Sequence, residues 1–234
     1  MHWDWRMMTA AMRNQAAILF DLDGTLVDSV YQHVLAWRRA LFDQGFDLSA
    51  WRIHRRVGMS GGLLVHALGR ELGHEFSASQ VEAVQAAHTR YFHEVGDTVR
   101  PLPGASHLLQ ELSRRHVPVA LATSGTRETA GASLRSLGLG PEVPVVTRDE
   151  VPFAKPDPDL FLAAADRLGA SIGNCIVVGD SIWDILAARR AGALGVGLLS
   201  GGYSRQELEV AGAFRVYQDP AAMEDRLEEL GIRR

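Results

Sequence analysis

The chain predicts an α/β protein: a parallel sheet covered by helices on both faces, with a block of helices inserted after its first strand. Three observations carry this. Short apolar runs recur at Ala17–Phe20, 117–122, 143–146, 175–178 and 194–199, with a weaker one at 214–217. Runs of this length suit strands buried on both faces. Helical spacing fills the gaps at 105–115, 127–137, 158–168, 182–191 and 205–211, and such alternation builds parallel sheets. The interval 30–99, by contrast, has no strand-like run.

Taken in order, AILF at 17–20 is the first strand, ended abruptly by Asp21 and Asp23 beside Gly24. In the inserted block, Val34, Leu35, Leu41 and Phe42 line one helix; Leu63, Leu64, Ala67, Leu68 and Leu72 line a second; Val81, Val84, Ala87 and Phe92 line a third. Hinges fall near 28–30 and 96–103, where the PLPG stretch at 101–104 makes a stiff re-entry. Gly138, Gly169 and Gly192 stand where helices of the second half need C-caps. The expected organisation is therefore 15–29 with 100–234 as the α/β core, 30–99 as a helical cap, and 1–14 as a poorly ordered extension.

Composition narrows the function classes. The net charge of −4 gives no electrostatic case for nucleic acid or an anionic membrane. An anionic substrate would need local positive charge, from a metal, a lysine and helix N-termini. The one cysteine, Cys175, excludes an intrachain disulfide and lies in the apolar run CIVVG, where it reads as a small buried hydrophobe. No apolar stretch approaches the roughly 20 residues of a membrane span, and MHWDWRMMTAAMRN at 1–14 does not read as a secretory signal. Met7, Met8 and Met12 leave a later translation start open. A cytoplasmic protein is expected, monomeric or homodimeric.

Four clusters carry candidate chemistry, each at the C-terminal end of an expected strand, where α/β sheets bind ligands. Asp21 and Asp23 end an apolar strand, which is costly unless their charge is paired, and a hard divalent cation takes several carboxylate oxygens. Thr123, Ser124 and Gly125 lead into a helix whose free N–H groups suit an anion. Lys155 sits in AKPDPDLF and Asp180 in VVGDSIWD, with Asp184 one helical turn further on.

The strings DLDGTLVDS, LATSG, AKPD and GDSIWD, in this order, resemble the four motifs of the haloacid dehalogenase-like superfamily, in its branch of phosphatases and phosphomutases. The resemblance spans nearly the whole chain and implies a Rossmann-like core with an inserted cap that closes over the site. It implies that Asp21 attacks phosphorus to form an aspartyl-phosphate, and that Asp23 is a general acid and then base, which calls for a raised pKa. Asp at position 23 argues against haloacid hydrolysis. Thr123, Ser124, Gly125 and Lys155 would bind phosphate. Mg²⁺ would be held by Asp21, Asp180 and the Asp23 carbonyl, with Asp184 acting through its water shell. The implied partner is a small phosphorylated metabolite, of phosphoglycolate or sugar-phosphate type.

In the inserted block, His33 and Trp37 share a helix face, Trp37 as core. The RRVGMSGG loop at 55–62 offers Arg55 and Arg56, with His54, to a distal anion or sugar hydroxyls, or else to solvent. A β-phosphoglucomutase-like reading draws on His33 and Trp37. It is opposed by Gly61, where mutases carry arginine, and by Gly179 before Asp180, where they carry glutamate. A non-catalytic relative would be expected to have lost Asp21, Lys155 or Asp180, and all three are present.

Overall fold

The computed structural model describes residues 16–140 and 142–233; the extension at 1–14, expected to be poorly ordered, lies outside the described residues. The strands are β1 Ala17–Phe20, β2 Val27–Asp28, β3 Arg100–Pro101, β4 Val119–Ala122, β5 Val145–Val146, β6 Cys175–Gly179, β7 Leu194–Leu198 and β8 Arg215–Tyr217. Six of them form one parallel sheet in the order β5-β4-β1-β6-β7-β8. The helices are α1 Val30–Phe42, α2 Ala50–His54, α3 Gly61–Leu72, α4 Ala78–Val95, α5 Ala105–Arg114, α6 Arg127–Leu137, α7 Asp159–Arg167, α8 Ile182–Ala191, α9 Arg205–Ala211 and α10 Pro220–Glu224.

Strand periodicity explains the two-sided covering. Alternate residues of β1 face opposite ways. Ile18 and Phe20 join the apolar core of α5, α6 and the C-terminal segment, whereas Ala17 and Leu19 join that of α7 and α8. The direction of chain winding reverses at β1, which lies between β4 and β6, and that reversal opens a crevice at the strand C-termini.

Helices α1 to α4 have an apolar core of their own, including Val34, Trp37, Leu41, Ile53, Leu64, Leu68, Val81 and Val84. Each large apolar side chain buried there contributes about 1.5–3 kcal/mol. The register differs in part from the sequence pattern: Leu35 is 60% and Phe42 62% exposed, because α1 turns His33, Trp37 and Ala40 inward instead. Trp37 is core, as expected. Where the chain leaves and re-enters the sheet region, β2 and β3 pair antiparallel, Val27 with Pro101 and Asp28 with Arg100. Two-residue strands of this kind carry too little pattern to be read from sequence.

Other boundaries shift for identifiable reasons. β4 starts later than the apolar run at 117 because the Val117 N–H closes the end of α5 on the Leu112 carbonyl, 2.9 Å away, and Pro118 has no N–H to give. β5 shortens similarly, since Val143 turns back onto Gly140 and Pro144 follows. Gly138 and Gly192 are left-handed C-caps of α6 and α8, and Gly169, at φ 62°, follows Leu168, the C-cap of α7.

Candidate active site

Asp21, Thr123 and Asp180 each follow the last residue of a central strand: β1, β4 and β6. The Asp21 N–H donates to Val178 O at 2.8 Å and the Thr123 N–H to Val146 O at 3.0 Å, so the sheet ladder itself fixes these loop tips. Lys155 reaches the same edge from the segment between β5 and α7, through a cis Lys155–Pro156 peptide. Sequence positions spread over more than half the chain thus meet in one crevice.

At its centre, the fully buried Lys155 ammonium contacts Asp21 Oδ1 and lies 2.8 Å from Asp184 Oδ1. Thr25 Oγ1 donates to Asp180 Oδ1 at 2.9 Å and sits 3.4 Å from Asp21 Oδ2. Asp184 is placed by a helix capping box: its Oδ2 accepts from the Ser181 N–H at 3.1 Å and the Ser181 hydroxyl at 2.5 Å. Its Oδ1 is held by the ion pair with Lys155.

Three buried carboxylates here face one ammonium. Burial, with repulsion from Asp184 and Asp23, pushes the Asp21 carboxyl up to about 7 despite Lys155. Burial and the charges of Asp184 and Asp21 push Asp180 well above its ordinary value. Burial opposes the charge on Lys155, but Asp184 and Asp21 overcome it and hold it protonated. The site is therefore short of positive charge. Asp21, Asp180 and Asp184 each offer an oxygen within 4.8 Å of the others. An all-oxygen donor set with surplus negative charge, three buried carboxylates on one ammonium, fits a hard divalent cation. Asp184, expected to act only through water, offers its oxygen in the same group as the other two.

Asp23 points away from this trio. Its Oδ1 accepts from Ser29 Oγ at 2.7 Å and Ser133 Oγ at 2.9 Å, with His33 Nε2 at 3.5 Å; Thr123 Oγ1 is 3.5 Å from Oδ2. The raised pKa expected of Asp23 is not what the structure gives. Burial raises it, but the charge and hydrogen bond of His33, with the Ser29 and Ser133 hydroxyls, outweigh burial and hold it at about 2. Ser29 and Ser133 were not anticipated. Ser29 is part of the first motif string, whereas Ser133 lies mid-helix in α6 and has no local signature.

The Thr123-Ser124-Gly125 tip leads into α6. Thr123 Oγ1 accepts from the Gly125 N–H at 3.0 Å and directs its own hydrogen to Asp23 Oδ2 at 3.5 Å, so one hydroxyl ties the tip to the Asp23 carboxylate. Among the described residues, the buried Ser124 Oγ has no hydrogen-bond partner, which leaves it available to a ligand oxygen. On the helical side, His33 meets the site through Asp23. The two arginines are engaged elsewhere: Arg55 pairs with Glu207 and lies over the Tyr203 ring at 4.1 Å, and Arg56 pairs with Glu71. His54 Nε2 lies 2.7 Å from Gly201 O. These contacts join the 54–55 segment to the turn after β7.

Two glycines make room for Asp180. A Cβ on Gly201 would overlap its carboxylate, and one on Gly24 would come within 2.5 Å of Asp180 Oδ2 and of Val30. Gly24 also has φ +89°. Gly24→Ala is expected to cost about 1–2 kcal/mol from handedness and about 1–3 kcal/mol from overpacking, seen as a lower Tm with activity lost as Asp180 is displaced. Unchanged Tm and activity would contradict this packing.

Comparison with known proteins agrees with the architecture. Residues 15–192 match the model of the haloacid dehalogenase-like hydrolases. A phosphoglycolate phosphatase of Rhodospirillum rubrum is 34% identical over 220 residues, covering 90% of this chain and 90% of that protein. Hexitol phosphatase A of Escherichia coli is 38% identical over 184 residues, covering 74% of this chain and 78% of its own length. The crystal structure of a hydrolase from Pseudomonas syringae superposes with a TM-score of 0.91 at 49% identity, over 92% of this chain and 99% of the other. The crevice at the end of β1, β4 and β6 thus belongs to an enzyme, and the chain is a member of the haloacid dehalogenase-like hydrolase family.

Proposed function

We propose that this protein is a Mg²⁺-dependent phosphatase that hydrolyses a small phosphomonoester through an aspartyl-phosphate on Asp21. The observation that carries this reading is the contact of the buried Lys155 ammonium with Asp21, which ends β1 as Thr123 ends β4 and Asp180 ends β6. Relatives named as phosphoglycolate and hexitol phosphatases, matching most of this chain, support the phosphate-ester class.

In this reading, Asp21 attacks phosphorus and the ester oxygen leaves as an alcohol. Lys155, the Thr123 and Ser124 hydroxyls and the Gly125 N–H bind the phosphoryl oxygens. Asp21 and Asp180, with the Asp23 carbonyl and with Asp184 beside them, would hold Mg²⁺, which supplies charge to offset nucleophile and substrate when bound. Asp23 protonates the leaving oxygen, then takes the proton of the water that hydrolyses Asp21–phosphate. Held at about 2, Asp23 would have to gain proton affinity for both roles, and a bound phosphate dianion would raise it. Residues 30–99 act as a cap over this edge, a division supported by their separate apolar core and by the β2–β3 pair at the crossing.

Phosphate release across 2-phosphoglycolate, hexitol phosphates and hexose phosphates, with Mg²⁺ and with EDTA, tests the reading. Release that depends on Mg²⁺, at a kcat/KM of about 10⁴ M⁻¹ s⁻¹ or more for the physiological class, is expected. Isomerisation of β-glucose 1-phosphate without net release would mark a mutase. Inertness of folded protein across the panel would mark a non-catalytic relative.

A further inference from the structure

The proposed site extends past Asp23 into the helical block. His33 Nε2 faces Asp23 Oδ1, and His33 Nδ1 lies 3.0 Å from His88 Nε2 on α4. Both imidazoles are buried. Phe92 stacks on His33 at 3.9 Å and 4°, and Trp37 stacks on His88 at 3.9 Å and 13°. Gly61 leaves room for that indole, since a Cβ there would lie 3.0 Å from Trp37 Cη2. Two clamped rings joined by one nitrogen–nitrogen contact have little freedom to flip.

We infer that His88 is a positioning residue for Asp23, its Nε2 fixing the ring plane and tautomer in which His33 presents Nε2–H to the Asp23 carboxylate. The inference rests on the phosphatase reading only in giving Asp23 a catalytic task. Hydrogen-bond logic supplies the rest. A carboxylate oxygen accepts, so the facing His33 nitrogen carries the proton. A neutral His33 then has a bare Nδ1, which takes the proton of His88 Nε2–H. If His33 is charged, His88 Nε2 accepts instead, and the orientation is the same. Without His88, the alternative tautomer would aim a lone pair at Asp23 and repel it. This coupling joins a helix far along the sequence to the general acid–base group, through a residue with no motif around it.

The test compares H88F, which keeps the stack on Trp37 but offers no hydrogen-bonding atom, with H88Q, which restores one. Imidazole ¹⁵N NMR reads the His33 tautomer, with H33N assigning the signal. Wild-type protein is expected to show a protonated His33 Nε2. In H88F, His33 should shift toward the Nδ1–H form, and kcat should fall about tenfold with KM within about twofold; H88Q should recover most of both. An unprotonated His33 Nε2 in wild-type protein, or a His33 signal and kcat unchanged in H88F, would overturn the inference. If H88F does not fold, the wild-type signal and the H88Q comparison still decide it. Absence of phosphate release from wild-type protein would sink the phosphatase reading, whereas the NMR result would still judge His88.

Discussion

Asp21→Asn is expected to lower turnover by about 10⁴-fold or more, the scale seen when a covalent nucleophile is removed. The fold should not suffer. Asparagine has the same shape, and Lys155 keeps Asp184 as a partner. Asp21 is one of three buried carboxylates that repel one another, and its carboxyl is pushed up to about 7 by burial and those neighbours. Removing one negative charge therefore relieves the cluster, and without metal the Tm of the variant should equal or exceed that of the parent. A simple loss of folding would give the opposite pattern, low Tm together with low activity, so paired measurements of Tm in EDTA and of phosphate release separate the two causes.

Lys155→Met carries the second large effect, and here stability falls as well. The substitution leaves Asp21, Asp180 and Asp184 with no buried cation, and stranding buried charge typically costs about 3–5 kcal/mol. Turnover should drop by about 10²–10³-fold, as for the loss of a positive group that stabilises developing charge. The sign of the pH dependence is a further check. A carboxyl whose folded pKa lies above its unfolded value binds more protons when folded, so stability is full below the unfolded pKa and falls as pH rises. Metal-free wild-type protein should therefore lose stability from about pH 4 to about 7, the window set by Asp21. The loss should steepen in K155M, and Mg²⁺ should flatten both profiles. Urea titrations at several pH values, with and without Mg²⁺, measure this against D21N. That variant lacks the Asp21 contribution and keeps the opposite one from buried His88, whose pKa is lowered. Identical metal-free profiles of the two proteins would contradict the charge balance described above.

How far the sequence reveals this molecule depends on how local each signal is. The strands of the sheet are legible because each is a short apolar run, and β1 shows it best, since both of its faces are covered. The site is legible where one strand end supplies adjacent chemistry, as with Asp21 and Asp23 in a single string, whereas Thr25, between Asp21 and Asp180, shows its part only in the fold. Ser133 and His88 are hidden because their relevance comes only from folding: α6 brings Ser133 to Asp23, and α4 brings His88 to His33. Neither helix advertises the contact in its spacing. The two arginines of the 55–62 loop illustrate the converse. Their charge suggests an anion, but Glu207 and Glu71, distant in sequence, already answer it. The proton affinity of Asp23 is hidden for the same reason: burial follows from the apolar strand before it, whereas the His33 and hydroxyl contacts that outweigh burial come from tertiary packing.

The covalent role proposed for Asp21 is tested most directly by trapping. Enzyme turning over its best substrate with Mg²⁺ is quenched rapidly with borohydride, which reduces an acyl phosphate to an alcohol, and the peptide spanning Asp21 is read by mass spectrometry. The account predicts homoserine at that position in wild-type protein and none in D21N. An unmodified peptide from active enzyme, together with inversion of configuration at phosphorus, would mean that water attacks the ester directly, and would contradict it.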